Sequence, residues 1–148
     1  MTSDKEFRLS DYDETIRLVL DSGGEFRLYP KGTSMLPLIV QGRDSVSLVK
    51  SDSYKPGDIA FYLRSDGHYV LHRIIRADNG YYTMCGDNQL VLEEGIAFSQ
   101  MIGKVKYVHR KDKKIAENDF LYGVYKTLWR SFFIRRVYFF LRRLKNGR

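Results

Sequence analysis

Between Asp44 and Arg110 the chain repeats one pattern, a short run rich in β-branched and aromatic residues closed by turn-forming residues. No other feature constrains the fold as much. The runs are 45–49, 59–63, 69–75, 81–85 and 102–109, each of strand length and each bounded by chain-turning chemistry. Lys55-Pro56-Gly57-Asp58, Ser65-Asp66-Gly67 and Asp78-Asn79-Gly80 separate the first four. Asp-Gly and Asn-Gly between such runs favour tight hairpins, because glycine takes a positive φ without steric penalty. With no helical pattern between the strands, a mainly β core is predicted: an antiparallel β-ribbon or partly closed barrel. At 148 residues, 43% of them hydrophobic, the chain is long enough for one such domain with short appendages. No internal repeat or low-complexity segment points to a solenoid.

The flanks read as helices. Ser10-Asp11-Tyr12-Asp13-Glu14 puts acids in a first turn, Tyr12, Ile16, Val19 and Leu20 recur at helical spacing, and Gly23-Gly24 stops the pattern. A helix this short needs the adjoining domain to pack against. Residues 25–29 alternate as a strand and lead into Gly32-Thr33-Ser34-Met35-Leu36-Pro37. After Asn118-Asp119, a plausible N-cap, Leu121, Val124, Tyr125, Leu128, Trp129 and Phe132 fall on one face; near Ile134 the phase changes to Val137, Tyr138, Phe140, Leu141 and Leu144. The expected organisation is an N-terminal helix (1–24), a β domain (25–116) and a basic amphipathic helical tail (117–148).

Charge follows the same division. The net charge is +7, but residues 120–148 hold eight cations and no acid, which leaves −1 for residues 1–119. A near-neutral body argues against a nucleic-acid surface there. The tail, basic and edged with Trp, Tyr and Phe, has the composition of a helix lying in an anionic membrane interface; a docked helix or a partner groove are the competing readings. A single cysteine, Cys85, rules out an intramolecular disulfide framework and reads as structural. Met1-Thr2-Ser3-Asp4-Lys5-Glu6 shows neither a basic n-region nor an apolar stretch, so no cleaved leader is predicted. No run approaches the ~18 apolar residues of a spanning helix. The expected location is cytoplasmic, peripheral at a membrane surface.

Three polar residues stand out against this background. Ser34 lies between a flexible glycine and a stiffening proline at a strand end, a setting that suits either a nucleophile or an ordinary loop serine. A serine hydroxyl becomes a useful nucleophile only with a base in reach and a third group orienting that base. His72 sits inside the apolar run Tyr69–Ile75, where partial burial keeps an imidazole neutral and able to accept a proton. Asp87, in Gly86-Asp87-Asn88, can orient an imidazole or simply form a turn.

Taken in order, Gly-Thr-Ser-Met-Leu-Pro at 32–37, Lys55-Pro56-Gly57-Asp58-Ile59-Ala60-Phe61, Val70-Leu71-His72-Arg73-Ile74-Ile75, Gly86-Asp87-Asn88 and Ile102-Gly103-Lys104-Val105 resemble the successive boxes of type I signal peptidases and the related LexA-type self-cleaving repressors. The resemblance spans about residues 28–108. It implies a signal-peptidase-like β core with Ser34 as nucleophile. Bacterial signal peptidases carry lysine where this chain has His72, whereas the endoplasmic-reticulum and archaeal enzymes carry histidine, so the likeness is to the Ser-His-Asp branch. That branch implies Asp87 as orienting acid, with Glu93 as the alternative. It also implies an oxyanion hole at the Ser34 backbone N–H, completed by Thr33 or by backbone groups alone, and substrate contacts at Met35 and Pro37. Two departures from the family's pattern are expected: these residues hold no stretch that predicts the usual N-terminal spanning anchor, and residues 1–24 are too few to predict a repressor's DNA-binding domain.

The function implied is a serine endopeptidase cleaving a leader or signal segment from a precursor protein or peptide, with no metal or organic cofactor. A processing protease for a cytoplasmic leader-bearing peptide is a variant of it. The alternative from another class is a catalytically inactive, membrane-surface peptide-binding module.

Overall fold

The computed structural model describes residues 9–147; the expectations for Met1–Glu6 and for Arg148 fall outside them. A short 3₁₀ turn, Leu9–Tyr12, leads into α1 (Asp13–Asp21). Ile16 and Leu20, one helical turn apart, are its buried residues, so one narrow stripe holds it on the domain, as its length requires. Gly23, at φ 83°, ends it as expected.

The strands are β1 (Phe26–Leu28), β2 (Ser45–Val49), β3 (Ile59–Leu63), β4 (Tyr69–Asp78), β5 (Tyr81–Cys85), β6 (Glu93–Ala97), β7 (Met101–Arg110) and β8 (Lys113–Ala116). They form one antiparallel sheet in the order β1-β2-β7-β3-β4-β5-β6, with β8 added on β7. The sheet is open: among the described residues its two end strands, β1 and β6, do not pair with each other. The five predicted strands of the 44–110 region all form. β6 and β8 were not legible because Glu-Glu-Gly and Lys-Lys dilute the apolar alternation, as charged residues do on strands that would otherwise offer bare edges.

Period-two alternation divides the core between two clusters. On β3, Ile59 and Phe61 join Val46, Leu48, Val105, Val108 and the α1 residues, while Ala60 and Tyr62 join Ile74, Tyr82 and Met84. Each large apolar side chain so buried contributes about 1.5–3 kcal/mol. The pairing register Ala60↔His72 and Arg73↔Cys85 then places two adjacent residues of β4 on opposite faces of the sheet.

The tail comprises α2 (Phe120–Trp129) and α3 (Phe132–Asn146). Asp119 caps α2, accepting from the Leu121 and Tyr122 N–H groups at 3.0 and 3.3 Å. The expected phase change near Ile134 is instead a break at Arg130-Ser131, where Ser131 caps α3. The tail that begins at residue 117 packs against the β domain. Tyr122 belongs to the main core cluster, Trp129 is buried, and Arg135 has no exposed surface, so the helices are built into the domain. Among the described residues no helix is long and apolar enough to cross a membrane.

Candidate active site

A cleft of about 540 Å³ opens beside the loop that follows β1, walled by apolar residues including Leu28, Met35, Ile39, Phe61 and Leu71. Ser34 and His72 both line it. His72 comes from the centre of β4, and Ser34 from the loop entered through Gly32, whose φ of 86° L side chains rarely adopt. Ser34 is half-buried and His72 is 5% exposed. The two make no direct hydrogen bond with each other. Among the described residues, neither the Ser34 hydroxyl nor His72 Nε2 is engaged elsewhere. Hydrogen bonds between catalytic groups are often open in a free enzyme and tighten around the substrate.

The group beside His72 Nδ1 is a tyrosine that leads to Glu93, the alternative acid, and not to Asp87. Nδ1 lies 3.4 Å from the hydroxyl of Tyr62, which is fully buried and lies two positions along β3 from Ala60, the residue paired with His72. That hydroxyl donates to Glu93 Oε2 at 3.0 Å, so its oxygen can accept from Nδ1–H and leave Nε2 as the basic nitrogen. Arg64 in turn grips Glu93, Nη2 to Oε2 at 2.6 Å and Nε to Oε1 at 2.9 Å. Burial, reinforced by the Arg64 charge and opposed by Glu93, pushes the His72 pKa down to about 4. The imidazole is therefore neutral at physiological pH, as a general base must be. Burial also tends to raise the Glu93 carboxyl, but its hydrogen bonds from Arg64 and Tyr62 prevail and lower it, so it stays ionised.

Asp87, ranked first as the orienting acid, is committed to other partners. Both its oxygens pair with Arg73, at 2.7 Å to Nε and 2.8 Å to Nη2, and neither residue has any exposed surface. The Tyr125 hydroxyl donates to Asp87 Oδ2 at 2.9 Å, and Arg135 Nη2 lies 3.7 Å from Oδ1. The register puts His72 on one face of β4, with Ala60 and Tyr62, and Arg73 on the other, so the two neighbours take different partners, and it is Arg73 that meets the turn carrying Asp87. Arg73 further donates to the Gly57 carbonyl at 2.7 Å and lies over the rings of Tyr122 and Tyr125.

The turn around Asp87 nevertheless serves the serine loop. The Asn88 N–H donates to the Ser34 carbonyl at 2.9 Å, and Asn88 Nδ2 donates to the Thr33 carbonyl at 3.1 Å. Glycine is required at 86 because a Cβ there would stand 2.6 Å from the Ser34 carbonyl oxygen. Among the described residues the Ser34 N–H has no acceptor, consistent with an oxyanion donor, whereas the exposed Thr33 is placed here by its carbonyl. Met35 lines the cleft from a buried position; Pro37 does not line it. Tyr62 and Arg64 were missed in the sequence, where they read as ordinary strand residues. A tyrosine on the inward phase of a strand pairing with the histidine strand was the available signal.

Comparison with known protein families, with characterised proteins and with solved structures finds no match.

Proposed function

We propose that this chain is a serine endopeptidase of the signal-peptidase type, with a signal-peptidase-like arrangement of its β core, that cuts a leader or signal segment from a precursor. The observation that carries the reading is that a half-buried serine and a buried, neutral histidine line one apolar cleft, the histidine's Nδ1 facing the Tyr62 hydroxyl, which in turn donates to Glu93. Ser34 Oγ attacks the scissile carbonyl carbon as His72 Nε2 takes its proton. The tetrahedral intermediate collapses when that proton passes to the leaving amine, and water activated by the same imidazole releases the acyl group. The Ser34 N–H is the candidate donor to the developing oxyanion.

In the same reading the enzyme works at an anionic membrane surface. Phe120, Leu121, Val124 and Leu128 on α2 and Phe133, Val137, Phe140, Leu141 and Leu144 on α3 are exposed, with Arg136, Arg143 and Lys145 exposed on α3. Tyr125 and Trp129, which the sequence grouped with this stripe, face inward instead. A large apolar surface edged with cations suits a bilayer interface better than water.

The open Ser34–His72 geometry also suits the second reading, an inactive peptide-binding module. Comparing protein N-termini in cells carrying wild type or Ser34→Ala separates the two. Termini that appear only with wild type establish cleavage and identify the substrate; identical termini refute the peptidase.

A further inference from the structure

The Gly86–Gln89 turn is gripped from one side by the serine loop and from the other by the tail. Arg135, fully buried on α3, donates through Nη1 to the Gly86 carbonyl at 2.6 Å and to the Gln89 carbonyl at 2.9 Å. Its Nε donates to the Trp129 carbonyl at 2.6 Å, which locks α3 to the end of α2. Trp129 Nε1 donates to the Asp87 carbonyl at 2.8 Å, and the Arg142 guanidinium reaches Asn88 Oδ1 at 3.1 Å. All four residues of the turn are thus held by α2 or α3. On its other side the turn contacts Thr33 and Ser34 through Asn88 and through the missing Cβ of Gly86. A buried guanidinium donating to two carbonyls of one turn costs considerable desolvation unless the turn stays fixed, and a hydroxyl displaced by an ångström loses most of its reactivity.

We propose that Arg135 and Trp129 are positioning residues for Ser34: the α2–α3 pair acts as a clamp that sets the nucleophile loop through the Gly86–Gln89 turn. This rests on the peptidase reading for its catalytic consequence but not for its structural one, and the experiment reads the two separately. Amide hydrogen exchange is followed by mass spectrometry in wild type, Trp129→Phe, Arg135→Met and, as a control on the solvent side of α2, Thr127→Ala. Trp129→Phe keeps an aromatic ring beside Tyr125, which lies 4.9 Å from the native indole, and removes the N–H together with part of the bicyclic ring. The expected result is at least ten-fold faster exchange in segments 32–36 and 86–89 with the β4 core unchanged, in Trp129→Phe as well as Arg135→Met, and none in Thr127→Ala. Should Arg135→Met fail to fold, Trp129→Phe alone decides. Wild-type exchange at 32–36 in Trp129→Phe overturns the clamp.

Turnover of a precursor peptide identified by the N-terminus comparison is measured in parallel. A kcat about ten-fold lower at unchanged KM in Trp129→Phe is expected; unchanged kcat overturns the catalytic half of the proposal. Absence of turnover in wild type refutes the peptidase reading and leaves the exchange result to decide the clamp.

Discussion

Replacing Asp87 by Asn separates a structural carboxylate from a catalytic one. The carboxylate neutralises Arg73 in a site with no exposed surface on either partner and also accepts the Tyr125 hydroxyl. Removing its charge leaves Arg73 buried without a counter-charge, and Arg135, 3.7 Å away, loses its nearest acid as well. Breaking one side of a fully buried pair costs about 3–5 kcal/mol. For a domain of this size each kcal/mol shifts Tm by about 2–4 °C, so Asp87→Asn should melt about 6–20 °C below wild type. Arg73→Met should lose a similar amount, and the Arg73→Met/Asp87→Leu double variant should be no worse than the poorer single, because it removes both charges together. Calorimetry or denaturant unfolding on the four proteins gives the answer. If Asp87→Asn keeps the wild-type Tm while its kcat falls about 10³-fold or more, Asp87 is the third member of the triad after all and the present assignment is wrong.

Three further outcomes are expected. Tyr62→Phe and Glu93→Gln should each lower kcat by about ten-fold, the equivalent of ~1.4 kcal/mol for one net hydrogen bond, and the double variant should add little; full activity in both would detach this pair from His72. The His72 ring should titrate near pH 4 by NMR, and Arg64→Gln should raise that value, since it removes a cation and leaves Glu93 unpaired. Because the unfolded chain takes up the same proton near 6.5 and the folded one only near 4, this group's contribution is complete above pH 6.5. It is lost as pH falls through that window, by up to roughly 3 kcal/mol; a His72→Gln variant should show a flatter acid limb, and an unchanged one would contradict burial as the cause. Finally, the full chain should bind anionic vesicles in a salt-sensitive way, and Val137→Asp/Phe140→Asp should abolish that binding without lowering Tm; undiminished binding by the double variant would move the membrane contact elsewhere.

Local signals carried most of the fold. The strand runs and hairpin turns of 45–109, the stop at Gly23, the Asp119 cap and the candidates Ser34 and His72 were all readable, since β alternation, positive-φ glycines and capping side chains act over a few residues. Of the partners of the site only Glu93 was named, as the alternative acid; Tyr62 and Arg64 were not. Whether His72 meets Asp87 or Tyr62 and Glu93 depends on which face of β4 looks at which turn, a matter of strand register between segments 10 to 21 positions apart. The inward face of α2 was equally hidden. Its Tyr125 and Trp129 look like part of an apolar stripe until the buried Arg73–Asp87 pair offers their hydroxyl and indole N–H hydrogen-bond acceptors at the core, and a polar partner in a dry interior outweighs the periodicity of the helix.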